Sequence, residues 1–284
     1  MTTQTNVPAR AAKRLSPHVA GTRADALAAF RASSPGLRLA PVTVVIAALD
    51  EAESVGSVVD GVPARACGLA TSVLVVDDGS ADGTAEAARA AGAHVARLER
   101  NCGHGIALRV GYQLARELGA RFIVTLDGDG QWDPSELERV LEPVAAGEAD
   151  LVLGSRVLGR SEIDERLRLT GVRVFAALTR LLTGARITDT STGYRAMRSE
   201  VTATVPQRQT QYQTAELLIG AVLQGYRVVE RPIVQRRRMA GRSKKGNDLL
   251  YGLRYARVIL VTWLRERPRR GHPAESKPAR AYCR

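Results

Sequence analysis

Short apolar runs recur along the first half of the chain, each bounded by Gly, Asp, Ser or Pro and followed by a stretch whose apolar residues have helical spacing. Runs of this kind read as buried strands, and the spaced stretches as helices that cover them. Strands are expected at residues 42–47, 72–77, 94–98, 122–126 and 151–153, with helices between them at 51–66, 82–91, 106–118 and 134–146. The last of these helices carries Pro134 in its first turn, where proline is tolerated. Such alternation with short connections predicts a mainly parallel α/β sheet with helices on both faces. After Gly154 the pattern loosens into an amphipathic helix at 166–182, a polar loop at 188–193, a helix at 214–224, a strand at 227–230 and a last helix at Asp248–Glu266.

The ends of the chain differ from this middle. Residues 1–40, rich in Ala, Arg, Ser and Pro with one short helical pattern at 24–32, read as a partly disordered extension. A main domain is expected over 41–245, an amphipathic helix over 246–267 and a disordered Pro-bearing tail over 268–284. Charge divides the same way. The net +12 arises from six Arg/Lys against one acid in 1–40, 18 against 24 in 41–226, and 17 against four in 227–284. An acidic middle argues against nucleic acid as substrate, because a nucleic-acid enzyme would carry its basic stripe across the active face. The basic C-terminal fifth suits anionic phospholipid, a phosphorylated substrate or a solvated tail.

Cys67, Cys102 and Cys283 form no Cys-x-x-Cys pair and the four His are scattered, so neither a disulfide framework nor a zinc site is indicated. A reducing cytoplasm is the expected home. No run approaches the roughly 18 apolar residues of a membrane span, which predicts a protein that is soluble or lies on a membrane surface.

The strand expected at 122–126 runs directly into Asp127-Gly128-Asp129-Gly130-Gln131. Asp-x-Asp at a strand end sets two oxygen ligands at the carboxyl edge of a sheet, where open α/β folds bind ligands and where Mg²⁺ or Mn²⁺ can bridge to phosphate. Asp-Gly-Asp-Gly is also turn chemistry, and calcium loops use similar spacing. Other strand ends are polar too: Asp50-Glu51, Asp77-Asp78 and Gly154-Ser155-Arg156. In a parallel sheet these ends share one edge, which is the reason to read them as one cleft.

With these residues in view the chain resembles family 2 glycosyltransferases, in the branch that includes dolichyl-phosphate mannosyltransferase and bacterial polyprenyl-phosphate glycosyltransferases. The resemblance spans about residues 42–245 and rests on ordered blocks: 42–51, 75–84, 101–108, 127–131, 154–156, 189–195 and 241–245. It implies a GT-A fold, a UDP- or GDP-sugar donor, a divalent metal (Mg²⁺ or Mn²⁺) and transfer with inversion at the anomeric carbon. By the same resemblance Glu51 and Asp78 would contact the nucleoside, Asp127 would sit near ribose and diphosphate, and Asp129 with Gln131 would hold the metal. Gly103 and Gly105 would let the chain approach the nucleotide closely. Three positions depart from the family pattern: Ala47-Ala48-Leu49-Asp50-Glu51 where Pro-Ala-Tyr-Asn-Glu is usual, Trp132 where His is common, and Arg242 where Glu or Lys is frequent.

Arg156 and Arg195 offer planar donors suited to phosphate oxygens, with Ser243 and Lys244 alongside as acceptor or phosphate ligands. The implied acceptor is a polyprenyl phosphate at an anionic membrane surface. A hydroxyl acceptor would need a carboxylate base, for which Asp189 is the first candidate and Glu216 the second; an ion pair with Arg195 or another Arg is the alternative for Glu216. A sugar-1-phosphate nucleotidyltransferase is the competing class, but it would carry a Gly-rich phosphate loop after the first strand. His104 reads as a solvent-facing loop residue with no catalytic part.

Overall fold

A computed structural model of the chain describes residues 17–163, 166–239 and 248–267, the side chains of 17–20, 166–168 and 248–251 excepted. The expected arm before residue 17, the Ser243 and Lys244 pair and the expected tail from 268 lie outside the described residues.

The apolar runs form the centre of the sheet. Strand β1 (Val42–Ala48) lies between β3 (Leu69–Asp77) and β5 (Phe122–Asp127), parallel to both. β3 also pairs in parallel with β4 (His94–Arg97), and β2 (Arg65–Ala66) forms a small hairpin with its start. On the other side the order continues β5, β7 (Arg195–Arg198), β6 (Leu151–Ser161), β8 (Val228–Gln235). β7 runs antiparallel to both neighbours, while β8 is parallel to β6. The sequence pattern predicts no strand at 195–198. Two of the four residues are arginines, and only insertion between two strands reveals them as sheet.

Successive side chains of a strand face opposite sides, and the core divides accordingly. Val44, Ile46, Val124 and Leu126 pack with α2 (Val55–Asp60) and α5 (Leu137–Ala145). Val45 and Ile123 face α4 (His104–Glu117) and α8 (Gln213–Leu223). Helix α3 (Thr84–Ala90) joins β3 to β4, and α7 (Ser199–Thr204) follows β7. The helix expected over 51–66 is limited to α2, because Gly61 caps it and Pro63 lacks the N–H to continue it. The short pattern at 24–32 belongs to α1 (Pro17–Ser33), whose Ala26, Leu27 and Phe30 are buried against Leu74, Leu98 and Leu114. Each fully buried Leu or Phe contributes about 2 kcal/mol relative to exposure, so this part of the expected extension is held on the sheet.

Helices α6 (Arg166–Thr183), α8 and α9 (Asp248–Glu266) enclose a second apolar cluster around Ile219, Tyr255 and Ile259. α9 turns Tyr255, Val258, Ile259 and Thr262 inward, leaving Leu253, Leu260, Val261 and Leu264 exposed. No helix among the described residues is long and apolar enough to cross a membrane.

Candidate active site

Strand register brings the polar strand ends together. Ala48 pairs with Asp77, and Ala47 with Asp127, so Asp50-Glu51, Asp77-Asp78 and Asp127 to Gln131 leave the sheet at one edge. The antiparallel β7 adds a fourth group. Its first residue, Arg195, pairs with Thr125, so the loop that enters β7 from Asp189 arrives at the same edge.

Asp50 takes the left-handed conformation (φ 46°), uncommon outside Gly but most accessible to Asn and Asp. Its carboxylate accepts from Ala81 N–H at 2.9 Å and its own N–H donates to Ser80 Oγ at 2.9 Å. The turn aims Glu51 at the Asp129 loop. Arg238 lies across them, with Nη1 2.9 Å from Glu51 Oε1 and Nη2 2.7 Å from Asp129 Oδ2. Asp129 Oδ1 accepts from Gln131 N–H at 3.0 Å, and Gln131 itself is almost buried. Burial, with Asp127 and then Glu51 close by, pushes the Asp129 carboxyl up to about 6, against the pull of Gln131 N–H and Arg238.

Asp127 is the more open carboxylate, its side chain 32% exposed. Trp132 Nε1 donates to its Oδ2 at 2.9 Å and His104 Nε2 lies 3.9 Å from its Oδ1. Gly193 fits against it so closely that a Cβ there would stand 2.3 Å from Asp127 Oδ2. The indole of Trp132 in turn underlies the Arg156 guanidinium, 5.1 Å from the ring centre.

Several expected site residues have other partners. Asp78 is buried and accepts from Cys102 N–H at 2.8 Å and Gly103 N–H at 2.9 Å, so its carboxylate organises the 101–103 loop. Burial pushes its pKa up to about 6; the two N–H bonds oppose this and Asp77 adds to it. Gly103 and Gly105 allow a close approach, but to protein: a Cβ at either would stand 2.8 Å and 2.6 Å from the carbonyl oxygens of Thr210 and Gln209 respectively. Arg195 is fully buried and donates to the carbonyls of Thr192 (3.0 Å), Thr214 (2.6 Å) and Thr190 (2.9 Å), which makes it a clamp on the loop entering β7 in place of the expected phosphate ligand.

The two candidate bases are also engaged. Asp189 has no exposed surface; Arg156 Nε reaches its Oδ2 at 2.6 Å and Arg156 Nη2 its Oδ1 at 3.3 Å, with Ser191 N–H at 3.1 Å from Oδ1. Arg156 also donates to Gln235 Oε1 and Ser191 Oγ. Glu216 is equally buried. It accepts from the N–H groups of Arg208 and Gln209 at 2.7 and 2.8 Å and pairs with Arg265 at 2.7 Å, so the expected arginine partner exists but is supplied by α9. Each candidate base is therefore held by an arginine and by backbone N–H groups of the protein. Asp189 orients Arg156, and Glu216 ties the 208–209 backbone to α9.

Among the described residues no three His, Cys, Asp or Glu side chains enclose a metal by themselves. The donor set is nevertheless of the hard-oxygen kind that suits Mg²⁺ or Mn²⁺. A cation is already drawn to it, since the Arg238 guanidinium bridges Glu51 and Asp129. Gly193 and Arg238 were not legible as site residues from spacing, whereas Trp132 already stood out as a departure from the family pattern beside the Asp-x-Asp block. Gly193 does lie within a motif block, and that position is the signal that could have found it.

The family model for glycosyl transferase family 2 matches residues 43–205, a span that runs from β1 through β7 and includes Glu51, Asp78, Asp127, Asp129 and Asp189 but not Glu216. The chain belongs to glycosyl transferase family 2. This family 2 chain is 34% identical over 228 residues to the dolichyl-phosphate hexose transferase of Haloferax volcanii, covering 80% of this chain and 96% of that one. It is 34% identical over 204 residues to the polyprenol monophosphomannose synthase of Mycolicibacterium smegmatis, covering 67% and 75%. Among solved structures it resembles glucosyl-3-phosphoglycerate synthase from Mycobacterium tuberculosis in complex with Mg²⁺ and UDP, at TM-score 0.61 and 21% identity over 86% of this chain and 85% of that one. The fold is the GT-A type, and the protein is a glycosyltransferase.

Proposed function

We propose that this glycosyltransferase moves a sugar from a UDP- or GDP-sugar to a polyprenyl phosphate, with a divalent cation at Asp129 and Gln131. The observation that carries the reading is the engagement of both candidate bases, Asp189 by Arg156 and Glu216 by Arg265. A hydroxyl acceptor would need a carboxylate base, and these two, the first candidates for that part, are each already held by an arginine. A phosphate monoester has a second pKa of about 6 and is largely dianionic near neutral pH, so its oxygen can attack the anomeric carbon unaided. The carbon–oxygen bond to the nucleoside diphosphate breaks as the new one forms, with inversion. The names of the Haloferax and Mycolicibacterium relatives, a dolichyl-phosphate hexose transferase and a polyprenol monophosphomannose synthase, support the same acceptor class.

The chain's own residues then have definite tasks. Glu51, turned inward by Asp50, faces the donor side. Asp127, fixed by Trp132 and Gly193, stands at the open part of the edge. A divalent cation, when bound, neutralises charge that builds on the departing diphosphate. Exposed Leu181 on α6 and Leu253, Leu260 and Leu264 on α9, interspersed with Arg180, Arg254 and Arg257, favour work at an anionic membrane surface.

The test supplies radiolabelled UDP- and GDP-sugars with Mg²⁺ or Mn²⁺ and offers polyprenyl phosphate beside free hydroxyl acceptors. Label entering the organic-extractable lipid is the expected result. Transfer only to a hydroxyl compound would overturn the acceptor assignment.

A further inference from the structure

The backbone after β8 crosses directly over the Asp129 loop. Arg236 N–H donates to Gln131 O at 2.8 Å and Met239 N–H to Asp129 O at 3.1 Å, with Arg238 between them. The Met239 side chain lies over Gly130, where a Cβ would meet its sulfur at 2.3 Å. The backbone bonds at 236 and 239 fix the segment, and the Arg238 side chain reaches down to Glu51 and Asp129.

The oxygen that Arg238 holds is the informative one. Asp129 Oδ1 accepts the Gln131 N–H at 3.0 Å, while Oδ2, which has no backbone donor among the described bonds, is 2.7 Å from Arg238 Nη2, so a cation bound to this carboxylate meets the guanidinium. A guanidinium and a divalent ion on the same carboxylate oxygen repel each other, and the Arg238 side chain is only 20% exposed, so solvent screens them poorly. The two cations therefore compete.

We propose that Arg238 is a resident counter-ion for the metal carboxylate, which a divalent cation must displace, so that residue 238 sets cation affinity and cation arrival unlatches residues 236–239 from the Asp129 loop. The inference rests on the metal reading of Asp129 given above. It makes Arg238 a positioning residue for the cation site. In the absence of metal the guanidinium prevents the buried Asp129 and the mostly buried Glu51 carboxylates from facing each other uncompensated.

The test uses the full chain without nucleotide. Mn²⁺ binding is followed by the electron paramagnetic resonance signal of the free ion in wild type, Arg238→Gln, Arg238→Lys and Asp129→Asn, with folding checked by circular dichroism. Arg238→Gln should bind Mn²⁺ roughly tenfold more tightly than wild type, the scale of one lost charge-assisted hydrogen bond, and Arg238→Lys should fall between. In wild type, saturating Mg²⁺ should speed hydrogen exchange at the Met239 amide. Equal or weaker Mn²⁺ binding by Arg238→Gln, while Asp129→Asn abolishes binding, overturns the counter-ion role and leaves the metal reading standing. Binding that Asp129→Asn does not alter overturns the metal reading itself and this inference with it. Should Arg238→Gln fail to fold, the wild-type exchange decides: a Met239 amide indifferent to Mg²⁺ overturns the proposal.

Discussion

The indole N–H of Trp132 donates to Asp127 Oδ2 at 2.9 Å while the same ring carries the Arg156 guanidinium on its face. Through this one side chain the open carboxylate of the site is joined to the buried Arg156–Asp189 pair. Trp132→Phe keeps an aromatic face for Arg156 but removes the N–H. Turnover is expected to fall about tenfold, the value of a hydrogen bond to a charged group, with little change in melting temperature. Steady-state kinetics beside a thermal melt check this, and an unchanged kcat would remove Trp132 from the site.

Gly193→Ala tests the packing on the other side of Asp127. The added methyl would stand 2.3 Å from Oδ2, so the carboxylate must shift. A displacement on the order of 1 Å at a reacting group costs about 10²-fold in rate. The expected variant is folded by circular dichroism and nearly inactive; wild-type turnover would mean that the position of Asp127 is not critical.

Asp78 predicts a pH dependence of stability. Its native pKa is raised from 3.8 to about 6, so between these values the folded protein holds a proton that the unfolded chain has released. Stability from this group is therefore present below pH 3.8 and is lost as pH rises to about 6. Asp78→Asn does not titrate. The urea stability of wild type relative to Asp78→Asn should thus be greater at pH 4.5 than at pH 7.5. A constant or reversed difference would show that Asp78 is not so buried in solution.

The strands were legible wherever an apolar run ended in a carboxylate, because burial on both faces and a polar strand end leave the same mark in any parallel sheet. Leu69–Asp77 and Phe122–Asp127 are of this kind. β7 left no such mark. Partners were harder to read than positions: Arg195 has the chemistry of a phosphate ligand, yet all three of its described bonds go to backbone carbonyls. Arg238 lies 187 residues from Glu51, and no local spacing records that ion pair. The acidic side of the site was visible in the sequence, whereas its basic complement was set by the fold.

Replacing Leu260 and Leu264 together by Ser tests the membrane reading. Both are exposed on α9, at 41% and 54%, so the fold loses little by the change. Binding to anionic vesicles should weaken, and salt should weaken wild-type binding too, since each nearby Arg contributes about 1 kcal/mol. Co-sedimentation at low and high salt measures both. A variant that binds as wild type does would exclude this face of α9.

Helix α1 covers Leu74, Val76, Ala96 and Leu98 with its own Ala26, Leu27 and Phe30. A fragment that started at the first strand would bare that strip beside α4, the helix whose N-terminus carries Gly103, His104 and Gly105. Self-association of such a fragment would follow from naked sheet surface, whatever the state of its carboxylates. Where the catalytic unit is to be cut for expression, the boundary belongs upstream of α1.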